Sequence, residues 1–208
     1  MISKTGRDFS SDANVSRETE ARIADYVDLL VKWNATINLV SKGSIDQIWH
    51  RHVIDSVQVF DYGKDARHWA DLGSGGGLPG LIVAILALEK APQMLITLVE
   101  SDQRKAAFLR QASHNLGVKT NVISERIESL PPLNANVVSA RALAPLPLLC
   151  SFADRHLAPD GLAIFHKGKS AQTEVSAARA SWQFSLEMHA SSTDSSSSIL
   201  LLKGLARV

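Results

Sequence analysis

The most constraining feature of this sequence is a stretch of ten residues, residues 71–80 (DLGSGGGLPG), five of which are glycine. A short apolar segment, residues 68–72, leads into it, and a longer one, residues 78–90, follows. Their lengths are those of a strand and a helix. Glycines permit positive φ angles and let a ligand approach the backbone. In doubly wound sheets, the turn after the first strand lies at the binding crevice. The sequence therefore predicts an α/β domain with a ligand site at this turn.

The rest of the chain after residue 66 alternates between strand and helix patterns. The pattern predicts helices over residues 78–90, 103–116, 146–156 and 171–182, and strands over residues 68–72, 94–99, 118–123, 137–139, 161–166, 184–189 and 199–203. This alternation is typical of a mostly parallel sheet with right-handed crossovers. The last two strands are linked too tightly for a helical crossover and should form an antiparallel hairpin. The predicted fold is therefore a Rossmann-like, mostly parallel seven-stranded sheet with an antiparallel last strand.

Two other regions are assigned from composition and periodicity. Residues 1–14 have the composition of a polar tail, a helix is predicted from Ser16 to about residue 33, and a second helix is predicted over residues 44–60. These segments give a helical extension over residues 1–66 and a Rossmann-like domain over residues 67–208. The serine-rich residues 191–198 have the composition of a flexible hairpin loop and not of a functional tract.

The overall composition limits which partners and which cellular compartment the sequence predicts. The formal net charge is +1, so binding to RNA would need a local basic patch. The single cysteine, Cys150, excludes an internal disulfide and fits a reducing compartment. The first twenty residues contain no apolar signal region, and the apolar run at residues 78–88 is too short to span a bilayer. We therefore expect a cytoplasmic protein without a membrane partner.

Two ligands compete for the glycine-rich turn. Gly75, Gly77 and Gly80 match the spacing of the dinucleotide fingerprint, and Glu100 lies about twenty residues further on, as that fingerprint expects. Asp71, however, ends the strand immediately before the glycines. A carboxylate there repels a pyrophosphate, but it attracts the ammonium and sulfonium groups of S-adenosylmethionine. The charge favours S-adenosylmethionine, with a purely structural turn as a further alternative.

Carboxylates after the next two strands extend this candidate site. Glu100 ends the second strand and is predicted to accept hydrogen bonds from ribose hydroxyls. The segment 125–128 (ERIE) follows the third strand, where it could meet the adenine or simply be a solvated loop.

Four motifs in order resemble those of a known family: WN at residues 33–34 with NL at 38–39, RHVIDS at 51–56, DLGSGGGLPG at 71–80 and SARA at 139–142. Over residues 25–170 the chain resembles the bacterial 16S rRNA guanine-N7 methyltransferases (the RsmG or GidB family). The resemblance implies a Rossmann-like methyltransferase fold, S-adenosylmethionine as cofactor, and one guanine of 16S rRNA in the 30S subunit as substrate. It also implies cofactor contacts by a set of five residues: Gly73, Leu78, Ile127, Glu128 and Arg141. The family often has Ser-Arg-Ala where Ala140 here separates Ser139 from Arg141.

The chemistry of this reaction needs no general base, because guanine N7 already has a free lone pair. Catalysis then depends on holding N7 in line with the sulfonium methyl group. We predict no catalytic acid or base and assign positioning roles to Arg141, His52 and Asp55. Arg141 could contact the methionine carboxylate, the guanine or a phosphate. His52 and Asp55 lie on or near one helical face, either as a packing pair or as a wall of the crevice.

Local positive charge supplies the candidates for RNA binding. Lys167 and Lys169 follow the fifth predicted strand beside the crevice, and Arg51 lies in the extension. Arg104, Lys105 and Arg110 are better explained as the solvated face of a helix. No metal site or obligate protein partner is predicted. The alternatives are a methyltransferase for a small molecule or a protein, an NAD-dependent oxidoreductase and a non-catalytic RNA-binding module.

Overall fold

A computed structural model describes residues 14–208 and contains one seven-stranded sheet. The predicted tail at residues 1–14 lies almost wholly outside the described residues. The strand order is β3-β2-β1-β4-β5-β7-β6. Strands β1 to β5 are mutually parallel, and β7 lies antiparallel between β5 and β6. The predicted α/β fold with an antiparallel last strand is confirmed.

The elements in chain order have the following bounds. The strands are β1 His68–Leu72, β2 Leu95–Val99, β3 Asn121–Ile123, β4 Ala135–Arg141, β5 Leu157–Lys167, β6 Trp182–Ala190 and β7 Ser198–Arg207. The α-helices are α1 Arg17–Asn34, α2 Asp55–Val57, α3 Phe60–Gly63, α4 Gly80–Lys90, α5 Gln103–Asn115, α6 Leu146–His156 and α7 Ala171–Arg179. Two 3-10 helices, Lys42–Gln47 and Ile127–Ser129, and a π-helix, Trp49–Ile54, complete the set.

The third strand is shorter than predicted because the end of α5 takes up the first residues of that segment. Gly117 has a φ of +65°, and the Val118 amide donates to the Ser113 carbonyl oxygen at 3.0 Å. This bond and the left-handed glycine form a helix-ending turn. Only Asn121–Ile123 then remains to pair with β2.

The predicted helical stretch over residues 44–60 is helical over most of its length but is not one regular α-helix. That segment winds as a 3-10 turn, a π-turn and two short α-helical pieces. Polar side chains in it bond to its own backbone: Ser56 Oγ donates to the His52 carbonyl oxygen at 2.7 Å. Such bonds compete with the regular helical ladder, and π-turns are frequent at functional sites.

Both faces of the sheet are covered, as a parallel sheet requires. On one face, Ile23 and Leu30 of α1 share a core with Leu81 and Ile85 of α4, so the N-terminal helical segment packs directly on the sheet domain. On the other face, α6 and α7 cover the second core. The extension thus contributes buried surface and is not a peripheral appendage.

Helix α1 also reaches the glycine-rich turn through hydrogen bonds. The Tyr26 hydroxyl, fully buried, donates to the Gly76 carbonyl oxygen at 2.6 Å. Asn34 Oδ1 accepts from the amides of Leu39 and Val40 at 2.8 and 2.9 Å. These bonds place residues 35–41 against the turn, since a Cβ built on Gly76 would lie 3.4 Å from Leu39 Cβ.

We predict that Tyr26→Phe lowers the free energy of unfolding by about 1–3 kcal/mol, because the buried Gly76 carbonyl loses its partner. Urea denaturation measures this change. Tyr62→Phe serves as the matched control, since Tyr62 is only partly buried. Equal destabilisation by both variants would contradict a specific role for the bond to Gly76.

Candidate active site

A cavity of about 450 Å³ opens at the carboxyl ends of β1, β2 and β4. This is the end at which open α/β sheets bind ligands. We call it the first cavity. The residues that define it here are Gly73, Gly75, Leu78, Glu100, Ile127, Glu128 and Arg141. All seven were predicted cofactor contacts, and the fold brings them together around one space.

The glycine-rich turn needs glycine at the positions where the backbone is left-handed. Gly73, Gly75 and Gly77 have φ angles of +64°, +53° and +84°. A Cβ on Gly73 would meet Leu143 Cδ1 at 2.5 Å. Gly73 and Gly75 line the first cavity, but Gly77 does not. Gly77 instead packs against Leu81, so its contribution is to the shape of the turn.

Asp71 is placed differently from its predicted role. Its carboxylate is 1% exposed and does not line the first cavity. Oδ1 accepts from the Ser139 hydroxyl at 2.7 Å, and Oδ2 accepts from the Gly80 amide at 3.2 Å. Burial raises the pKa of Asp71 to about 6, against the lowering effect of these hydrogen bonds. The carboxylate is therefore not placed to attract a cationic ligand directly, as the sequence predicted. Asp71 instead supports the turn by connecting the start of α4 to β4.

Glu100 stands at the end of β2 and faces the cavity. Its Oε2 accepts from the Gly75 amide at 2.9 Å, and its Oε1 accepts from the Asp102 amide at 2.8 Å. Each carboxylate oxygen still has a lone pair for another donor. The arrangement fixes the carboxylate and leaves it able to accept from hydroxyl groups.

The turn after β3 forms the far wall of the first cavity. Ile127 is 7% exposed and presents an apolar surface beside Phe152 of α6. Glu128 is exposed, and a hydrogen bond from its own backbone holds the pKa of its carboxyl below the usual value. Arg126, 3.5 Å away, lowers this pKa further. This wall combines an apolar face with exposed polar groups, which suits a purine ring.

A second cavity of about 530 Å³ adjoins the first. The two share Leu39, Arg141 and Ala142 as a common wall. The second cavity is otherwise lined by the extension, by the carboxyl end of β5 and Gly168, by Glu174 of α7, and by the residues between β6 and β7 with the first residue of β7. Ala142 has a φ of +51°, an uncommon conformation for alanine, directly after Arg141 in the common wall.

Arg141 is held in this wall by His52. Its Nη1 donates to His52 Nδ1 at 2.8 Å and lies 3.9 Å from Asp55 Oδ2. Burial, followed by the Arg141 charge, lowers the pKa of His52 to about 4. The imidazole is therefore neutral at neutral pH. Since Nδ1 accepts from Arg141, the proton lies on Nε2, which donates to Ser44 Oγ at 2.8 Å.

Asp55 connects three parts of the chain beneath the second cavity. Its carboxylate is nearly buried, and Oδ1 accepts from Ser191 Oγ at 2.7 Å and from Gln58 Nε2 at 2.9 Å. Its backbone oxygen accepts from His166 Nε2 at 3.0 Å. The extension, β5 and the β6–β7 loop therefore meet at one residue. Nothing in the local sequence signals Ser191 or His166, because both contacts span more than 100 positions.

The serine-rich loop differs from the expectation based on its composition. Ser191 is 6% exposed and bonded to Asp55. Thr193, Asp194, Ser197 and Ser198 line the second cavity. The small hydroxyl side chains of this loop form a hydrogen-bonded wall of the candidate site. The loop is therefore not the flexible connection that its composition predicted.

The predicted RNA-binding residues are placed unequally. Arg51 is exposed and lines the second cavity, and Lys169 is exposed but lines neither cavity. The Lys167 side chain is only 9% exposed, lies 2.6 Å from Glu174 and donates to the Ala144 carbonyl oxygen at 2.7 Å. Its ammonium is therefore bound within the protein. Lys167 forms a structural ion pair with Glu174 and not the predicted contact with an RNA phosphate.

Residues 14–208 contain no helix that is both long and apolar enough to cross a membrane.

Comparison with known proteins gives a family match over most of the chain. The model of the family described as GidB, rRNA small subunit methyltransferase G, matches residues 19–200. A protein of Ruegeria sp. (strain TM1040) named ribosomal RNA small subunit methyltransferase G is 52% identical over 197 residues, covering 95% of this chain and 96% of that protein. A protein of the same name from Paracoccus denitrificans is 50% identical over 194 residues, covering 92% of this chain and 98% of its own length.

Solved structures show the same fold at low sequence identity. A SAM-dependent methyltransferase from Aquifex aeolicus superposes with a TM-score of 0.58 at 10% identity, covering 75% of this chain and 92% of that one. TYW2 from M. jannaschii, solved in complex with AdoMet, superposes with a TM-score of 0.56 at 12% identity, covering 84% of this chain and 80% of that one.

The raised pKa of Asp71 predicts a pH dependence of stability. The carboxyl titrates near pH 6 in the folded chain and near pH 4 when unfolded, so the folded state binds the proton more tightly. The contribution of Asp71 to the free energy of unfolding should therefore fall as the pH rises from about 4 to about 6, and then level off.

Urea denaturation across this pH range, for the wild type and Asp71→Asn, measures the effect as the difference between the two proteins. Asp61→Asn is the control, since Asp61 is exposed. NMR titration of the Asp71 carboxyl carbon gives the same pKa without a variant. A difference that grows in favour of the wild type over this range would contradict the prediction.

Proposed function

The chain belongs to the GidB family of rRNA small subunit methyltransferases, and from this premise we propose that it transfers the methyl group of S-adenosylmethionine to N7 of one guanine in 16S rRNA. The observation that carries the proposal is the pair of adjoining cavities. One has the groups expected for a nucleoside cofactor, the other opens beside Arg51, and the two meet at Arg141.

The residues of the first cavity fit S-adenosylmethionine. The fixed Glu100 carboxylate offers acceptors for the two ribose hydroxyls, and Ile127 offers an apolar face for the adenine. Gly73 and Gly75 let the backbone approach the methionine part closely. Asp71 supports this turn from behind, through Gly80. When bound, the cofactor supplies an electrophilic methyl group on a sulfonium.

The second cavity is proposed to receive the target base. A base in the second cavity lies against the common wall with the first cavity. At this boundary a methyl group can pass from the cofactor to the base. Guanine N7 carries a lone pair, so the protein has to orient the base and exclude water but not to remove a proton. The ring nitrogens of His52 are both engaged, Nδ1 with Arg141 and Nε2 with Ser44, and so His52 holds Arg141 and is not a proton acceptor.

Arg141 is proposed as the positioning residue of this wall. A guanidinium has five N–H donors, and the hydrogen bond to His52 uses one of them. Guanine presents O6 beside N7 on the same edge. Donation from Arg141 to O6 would place N7 next to the common wall, while Asp55 and neutral His52 keep the guanidinium from turning away.

The RNA backbone is proposed to approach along the extension. Arg51 lies on the rim of the second cavity, and an exposed arginine suits a phosphate of the target nucleotide. Lys169 lies further out and fits a contact to a neighbouring phosphate. With a net charge of only +1, binding depends on these local groups and on the shape of the substrate.

The experiment that tests the function is methyl transfer to unmodified 16S rRNA and to 30S subunits, with labelled S-adenosylmethionine. Borohydride and aniline then cleave the RNA at N7-methylguanosine. We expect label and a single cleavage site, and a large loss of both with Arg141→Ala. Label without cleavage would move the target to another atom. No label on either substrate would leave a small molecule or a protein as the methyl acceptor.

We predict that Glu100→Gln weakens S-adenosylmethionine binding by roughly tenfold or more, because a hydrogen bond to a charged group contributes about 1.5–3 kcal/mol. Isothermal titration calorimetry measures the affinity. Glu187→Gln is the control, since its side chain is 67% exposed on β6. Unchanged affinity in a stably folded Glu100→Gln protein would overturn the ribose assignment.

A further inference from the structure

The second cavity contains one feature that methyl transfer alone does not explain. Three carboxylates line it among the described residues: Asp55, Glu174 and Asp194. Asp55 accepts from several groups and lies within 4 Å of Arg141 and His166. Glu174 is paired with Lys167 at 2.6 Å. Asp194 has no cationic group within 4 Å in the described part of the chain, so it is the carboxylate of this cavity whose charge is not taken up by a contact ion pair.

Asp194 is held in place by its own loop. Its Oδ1 accepts from the Ser196 amide at 2.8 Å and from Ser196 Oγ at 2.7 Å, and its Oδ2 accepts from Ser197 Oγ at 3.1 Å. These hydrogen bonds lower the pKa of Asp194 below its usual value, with the charge of Arg51 as a smaller cause. The carboxylate is ionised at neutral pH, and Oδ2 still has a free lone pair.

The loop itself is anchored. Ser191 Oγ donates to Asp55 Oδ1 at 2.7 Å, and the Thr193 amide donates to Ser191 Oγ at 3.1 Å. The Ser191 amide also bonds to the Ser197 carbonyl oxygen at 2.9 Å, which closes the base of the loop. Asp194 is therefore presented to the cavity on a braced support, as a recognition group requires.

The chemistry of guanine indicates what such a carboxylate can recognise. N7 and O6 lie on one edge of the base, and the 2-amino group, a hydrogen-bond donor, lies on the opposite edge. With N7 at the common wall of Leu39, Arg141 and Ala142, the 2-amino group points away from that wall into the second cavity. The loop that carries Asp194 lines the second cavity but not the first.

We propose that Asp194 accepts a hydrogen bond from the 2-amino group of the target guanine and so selects guanine over adenine. This inference rests on the proposed function and names its specificity-determining residue. Adenine also has an N7 lone pair but lacks a donor at that position. An adenine would leave the free lone pair of Asp194 Oδ2 without a donor, and the loss of that hydrogen bond disfavours its binding.

The test uses 30S subunits reconstituted with 16S rRNA that carries either guanosine or inosine at the methylated position. Inosine keeps N7, O6 and N1–H and lacks only the 2-amino group. We expect the wild type to prefer guanosine by about tenfold or more in kcat/KM, the discrimination typical of a good base contact. Asp194→Asn keeps the size of the side chain but can replace the free acceptor with a donor. This variant should lower kcat/KM for the guanosine substrate by a similar factor, and it should bring the ratio of the kcat/KM values for guanosine and inosine close to one.

Two controls separate this effect from a general one. Asp160→Asn removes an exposed carboxylate from β5 outside both cavities and should leave the ratio unchanged. S-adenosylmethionine affinity should be the same in Asp194→Asn and the wild type, because Asp194 does not line the first cavity.

The outcomes distinguish the assignment from the function. Transfer by Asp194→Asn with the preference for guanosine intact would overturn the role of Asp194 and leave the methyltransferase function standing. Equal rates on guanosine and inosine in the wild type would also overturn it. Failure of the wild type to methylate N7 in either substrate would overturn the proposed function and this assignment together.

Discussion

The candidate site depends on the hydrogen bonds that hold the turn between β1 and α4. The Tyr26 hydroxyl binds the Gly76 carbonyl oxygen, the Glu100 carboxylate binds the Gly75 amide, and the Asp71 carboxylate binds the Gly80 amide. The three side chains come from α1, from the end of β2 and from the end of β1. A turn rich in glycine has many conformations when unfolded and loses more entropy than other turns on folding. Bonds from three directions select one of those conformations and leave the backbone open towards the first cavity.

This arrangement explains why the N-terminal segment and the sheet act as one structure. The helix α1 packs in the same core as α4 through Ile23 and Leu30, and it also supplies the bond to the turn. The segment after it, held by Asn34, brings Leu39 into the wall shared by the two cavities. The extension is therefore positioned to shape both the cavity proposed for the cofactor and the cavity proposed for the base.

Buried charge in the common wall is arranged so that no proton needs to move at neutral pH. Arg141 is balanced by Asp55, and the His52 imidazole, which lies between the Ser44 hydroxyl and the guanidinium, is neutral because its pKa lies near 4. Breaking such a buried pair by removing one partner is costly, since it leaves a charge without compensation. The irregular segment of residues 42–57 is part of this arrangement. It carries His52 and Asp55, together with polar groups that bond to them. A rigid guanidinium suits a reaction in which orientation, and not acid–base chemistry, is the task of the protein.

The sequence by itself determined the fold class, the order of the seven strands along the chain, and the glycine-rich turn, because these follow from local periodicity and from the conformational freedom of glycine. It also identified seven of the residues that line the first cavity. Gly75 and Glu100 follow from the glycine-rich turn and from a strand end, since the carboxyl ends of parallel strands meet at one edge, and the other five follow from the family resemblance. Only the tertiary structure decided that Asp71 faces inward to Ser139, that Lys167 pairs with Glu174, and that residues 191–198 form a braced wall. Each of these depends on a partner more than a few positions away, and the competition between solvent and such a partner for a polar group is settled by three-dimensional packing and not by local sequence.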